Sequence, residues 1–155
     1  MKHKELNLLM AIVEEQIRHK LLNEGQSLSP TWVLIDAAGN STLFSTPWNN
    51  ELEKRLAEIF LRLRIRRFGA VAYLFMSECW VAIATAPERE KGFPATLPRE
   101  RSDKFEAVIA LACVKGRALW KVWKMLRDSE QRVTVLEPHF GENAHQRSWI
   151  STLLE

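Results

Sequence analysis

The sequence predicts an α+β domain: a mainly antiparallel sheet of five to six strands with N-terminal, central and C-terminal helices packed on it. Three observations carry this expectation. The stretch from Gly69 to Ala84 is an apolar run broken by the single charge Glu78, the strand-like segments after it are separated by tight turn signals, and amphipathic helical stripes lie to either side.

The Gly69 to Ala84 run is rich in β-branched and aromatic residues and lies between a helix-like segment and a Pro-rich stretch, so it reads as the central strand, or as two strands joined at a kink. Alternation places Leu74, Met76, Glu78, Trp80 and Ala82 on one face and Tyr73, Phe75, Ser77, Cys79 and Val81 on the other. Both faces are mostly apolar and need cover. Glu78 then requires a partner, because an unpaired buried carboxylate is costly.

A chain of 155 residues, 46% hydrophobic and 26% charged, has the size and composition of one domain spanning residues 1–155. Its longest apolar runs are too short for a membrane span, and its start turns amphipathic and acidic instead of forming a signal-peptide core, so a cytoplasmic protein is expected. Cys79 and Cys113 fall within apolar strand patterns, where a reduced buried thiol is the default. The net charge of +3 permits an anionic partner without requiring one.

Taken in order, Lys4 to Leu22 carries Leu6, Leu9, Met10, Val13, Ile17 and Leu21 at helical spacing, with Gly25 as its stop; Leu8, Ile12 and Leu22 widen the apolar surface. Thr31 to Asp36 is a strand, with Ser41 to Phe44 as its hairpin partner and Asp36 as the residue that starts the turn. Thr46-Pro47 reads as a helix start, a hydroxyl N-cap followed by proline. The helix then runs from about Trp48 to Arg66, with Leu52, Leu56, Ile59, Phe60 and Leu63 on the stripe assigned to the core. Glu51 and Glu53 early and a cluster of arginines late match the helix dipole; Arg62, Arg66 and Arg67 are also a candidate anion-binding group. Residues 86–104 contain Pro87, Pro94 and Pro98 and read as a long loop, a candidate lid or partner-binding arm.

Phe105 to Cys113 and Ala118 to Arg127 form a hairpin about Lys115-Gly116, and a turn at Asp128 to Gln131 leads to a strand at Arg132 to Leu136. This register sets Cys113 opposite Ala118, Leu111 opposite Trp120, Ile109 opposite Val122 and Phe105 opposite Leu126. Glu106 then lies diagonal to Arg127, on the face that also carries Lys121 and Trp123. If the central strand docks beside this hairpin, Glu78, Trp80, Glu106, Lys121, Trp123 and Arg127 make one candidate ligand patch. A short C-terminal helix is expected from about Asn143, with Trp149, Ile150, Leu153 and Leu154 apolar.

The six glycines are isolated, so there is no phosphate loop, and no Cys-x-x-Cys, His-Glu-x-x-His or Gly-x-Ser-x-Gly motif occurs. His139 and His145 have no ligand spacing with the cysteines, so neither a metal nor a cofactor is expected. The element order, helix, two strands, helix, strand meander and last helix, is similar to the roadblock and profilin-like α/β sandwiches. That resemblance implies an interaction scaffold and often a dimer. The expected function is a small cytoplasmic binding and assembly module without intrinsic catalysis, self-associating or bound to another protein, with no membrane partner. One alternative is a hydrolase using the carboxylate pair Glu78 and Glu106. A second is a nucleic-acid-binding protein working through the basic 115–127 hairpin.

Overall fold

The computed structural model describes residues 3–81, 102–140 and 153–154, with backbone alone for 3, 4, 139 and 140. The helix expected from about Asn143 and most of the Pro-rich segment 86–104 lie outside these residues. The described chain is α+β with two α-helices, so the expectation of three exceeds what is seen. Its elements are α1 (His3–Arg18), β1 (Thr31–Asp36), β2 (Ser41–Ser45), α2 (Glu51–Phe68), β3 (Ala70–Val81), β4 (Phe105–Val114), β5 (Arg117–Arg127) and β6 (Val133–Phe140). A π-helical turn, His19–Asn23, extends α1.

The six strands form one sheet in the order β2-β1-β3-β4-β5-β6, every neighbouring pair antiparallel. β3 is a single strand of 12 residues paired on both sides, with no kink dividing it. The β4–β5 hairpin adopts the expected register about Lys115-Gly116, with Cys113 opposite Ala118 and Leu111 opposite Trp120. Gly116 has φ 75°, which the two-residue turn requires and which glycine adopts without steric cost. β6 runs beyond Leu136, and Pro138 pairs with Trp123 at a bulge on this edge strand, a place where a missing N–H is tolerated.

Each face of the sheet has its own core. Leu6, Met10, Val13, Ile17 and Leu21, repeating along α1 and its extension, are buried with Leu74, Met76, Val108, Ala110, Trp123 and Met125. On the other face Leu61 and Ile65 of α2 and Leu153 are buried with Trp32, Leu34, Tyr73, Phe75, Leu111 and Cys113. The two-sided cover anticipated for β3 is therefore present. Fully burying a side chain of Leu or Phe size stabilises by about 1.5–3 kcal/mol, so each face contributes to holding its helix on the sheet.

α2 departs from expectation at its start and in its orientation. It begins at Glu51, where Asn50 Oδ1 accepts from the Glu53 N–H at 2.9 Å, while Glu53 Oε2 accepts from the Asn49 N–H at 2.7 Å. Thr46 is not the cap, because its hydroxyl accepts the buried Trp32 Nε1–H at 2.7 Å and its N–H closes on Pro30 at the base of the β1–β2 hairpin. Gly69, at φ 68°, ends the helix in the left-handed conformation. The stripe assigned to the core from sequence faces outward: Leu52, Leu56, Ile59 and Leu63 are between 53% and 69% exposed, and Phe60 is also exposed. Leu61 and Ile65, with Phe68 partly buried, hold the helix to the sheet instead.

Candidate functional site

Strand alternation does bring the residues of the expected patch to one face. In the β3–β4–β5 ladder Glu78 lies opposite Val108, which lies opposite Trp123, and Trp80 lies opposite Glu106. Arg127 reaches back from the end of β5, its Nε donating to Glu106 Oε2 at 2.7 Å and its Nη2 to Oε1 at 3.4 Å. Its Nη1 donates to the Gln131 carbonyl at 2.8 Å, so the guanidinium also ties down the β5–β6 turn. Such two-pronged pairing orients both groups and uses up the acceptors of Glu106 that face Arg127.

Glu78 is half-buried and is held by the strap between α1 and β1. Its Oε1 accepts the Leu28 N–H at 3.1 Å, and its own N–H donates to the Leu28 carbonyl at 3.2 Å. Burial pushes its carboxyl above the ordinary value; the Leu28 N–H and the Arg127 charge oppose that rise, and the Glu106 charge adds to it. The arrangement can bind a proton more readily than an ordinary glutamate does.

The remaining members of the patch are dispersed by their surroundings. Lys121 points to α1, with Nζ 3.5 Å from Glu14 Oε2. Trp123 is 3% exposed and belongs to the α1 core, whereas Trp80 is 47% exposed with Lys104 Nζ 4.8 Å from its ring centroid. The buried Trp123 offers no stacking platform of the kind single-stranded nucleic acid uses. Asp36 is engaged in its turn: the Asn40 side-chain amide donates to its carboxylate at 2.8 Å and, with the Asn40 and Ala38 N–H groups, holds it below the ordinary value.

A hollow of about 440 Å³ opens on the other face, between the Ser27–Pro30 strap, Trp48 and the end of β3 at Ser77 and Cys79, with Glu78 on its border. Burial, aided by the neighbouring Glu78 charge, pushes the Cys79 thiol up to about 12. A thiol so shifted is not a nucleophile near neutral pH. A cleft of about 230 Å³ at the end of α2 is lined by Arg62, Arg66, Gly69 and Leu153. Arg62 is paired with Glu58 at 3.1 Å and Arg67 is exposed outside that cleft, so the three candidate anion-binding arginines do not converge. The carbonyl end of a helix also disfavours an anion there. Among the described residues no three His, Cys, Asp or Glu side chains lie where they could hold a metal ion, and no helix is long and apolar enough to cross a membrane.

The feature that sequence reading misplaced is the outer face of α2. Leu52, Leu56, Ile59 and Leu63 follow intervals of four, three and four, and Phe60 lies beside them with the Arg64 guanidinium 5.6 Å from its ring. Arg64 also sits 4.1 Å over Phe44, which fixes it between helix and β2. The signal that would have found this face is the second stripe, Leu61, Ile65 and Phe68, which alone suffices to seat the helix. Compared with known proteins, the chain matches no family model, no curated protein and no solved structure.

Proposed function

We propose that this chain is a small protein-binding and assembly module without catalysis of its own, and that it acts through the outer face of α2. The observation that carries this reading is a helix apolar on two sides, one side seated on the sheet and the other presenting four large aliphatic side chains at interlocking spacing. Contiguous apolar surface of this kind marks an interaction site more often than an incidental exposure does. Hydrolysis by Glu78 and Glu106 has less support, since Glu106 is committed to Arg127 and Glu78 to Leu28.

The test is a photoreactive p-benzoylphenylalanine introduced at Leu63 in the native host, with the same group at the exposed turn residue Lys115 as control. Covalent protein adducts from position 63 and not from position 115 are the expected result, and Leu56→Lys/Ile59→Lys should abolish them. An unreactive position 63 would overturn the reading.

A further inference from the structure

The spacing on the outer face of α2 also bears on what occupies it; the inference rests on the reading above. Intervals of four, three and four are those at which two helices interdigitate side by side. Two copies of α2, turned antiparallel about a twofold axis passing between Leu56 and Ile59, set Leu52 against the partner's Leu63 and Leu56 against the partner's Ile59. A twofold contact of this sort uses one patch on both chains, so the patch must complement itself.

Charge supplies that complementarity. The first turn of α2 is acidic, through Glu51 and Glu53, and its last turn is basic, through Arg66 and Arg67. The next position of the same seam after Leu63 is Arg66, and an antiparallel partner brings the first turn of its own α2, with the partner's Glu53, toward it. A parallel pair would instead set Arg66 against the partner's Arg66 and Glu53 against the partner's Glu53, which costs association energy. Antiparallel helices also align their dipoles favourably.

We propose that a second copy of this chain occupies the outer face of α2, the two helices packing antiparallel with Arg66 of each beside the partner's Glu53. A helix of 18 residues is about 27 Å long. One such helix pair lies at the small end of specific interfaces, so the dimer dissociates in the micromolar range or above.

The test is sedimentation equilibrium of the purified chain, with Glu53→Arg, with Arg66→Glu, and with the two variants mixed. The wild type should dimerise, each variant alone should associate at least about tenfold more weakly, and the mixture should recover to within about threefold of the wild type, since each 1.4 kcal/mol is a factor of ten. Recovery in the mixture also shows that both variants fold. Orientation is read separately in a Cys79→Ser background. Leu52→Cys mixed with Leu63→Cys should form a mixed disulfide, whereas Leu52→Cys alone should not cross-link to itself. A wild type that stays monomeric at every concentration overturns self-pairing, while adducts from Leu63 to a different protein would leave the binding-module reading standing. A dimer indifferent to both charge changes, or one in which Leu52→Cys links to itself, overturns the antiparallel arrangement.

Discussion

Glu78 couples the sheet to the strap before β1, and its titration gives that coupling a pH signature. Its folded value lies above the ordinary 4.5, because burial penalises the charged form. Its favourable contribution to stability is therefore complete below 4.5, where both states hold the proton, and is lost as pH rises through the raised folded value. Glu78→Gln keeps an acceptor for the Leu28 N–H and does not titrate. The variant is expected to match the wild type in urea near pH 4 and to exceed it near pH 7.5; an equal difference at both pH values would remove burial of the charge as the cause. Nothing in the residue string reveals this bond, since Leu28 and Glu78 are 50 positions apart. Parity along β3 did place Glu78 on the face of Glu106 and Arg127, so the neighbourhood was legible even though the Leu28 contact was not.

At the level of elements, the β4–β5 hairpin and α2 show where legibility begins and ends. A two-residue turn containing Gly116 fixes the pairing of every residue in the hairpin, and the Glu106–Arg127 contact follows from that local fact. α2 has two apolar stripes of the same period, and local pattern cannot say which one meets the sheet. Its start was misread for a related reason, as Trp32, distant in sequence, takes up the Thr46 hydroxyl. The orientation has an energetic test. Leu61 is fully buried, so Leu61→Ala should cost about 2–5 kcal/mol in urea unfolding. Leu63→Ala, measured on dilute chain, should cost within about 0.5 kcal/mol of nothing. Equal losses at the two positions would mean that the helix is seated the other way round.

For the molecule as a whole, the sheet is covered on both faces by residues of its own chain. Association of the proposed kind adds to stability by mass action. Thermal unfolding should therefore shift with concentration, and raising the chain a hundredfold above its dissociation constant should lift Tm by roughly 3–5 °C. Leu56→Lys/Ile59→Lys should unfold at one temperature throughout, and a wild type equally indifferent to concentration would argue against association. The proline in β6 bears on how far such association can extend. An open sheet edge invites further strands, each supplying the next with donors and acceptors, but Pro138 removes an N–H from this margin. A twofold helix contact, in turn, exhausts its own surface once it is made. On the proposed twofold contact, growth through α2 and through the β6 edge halts early, and the expected stoichiometry is two chains, a finite particle and not a filament.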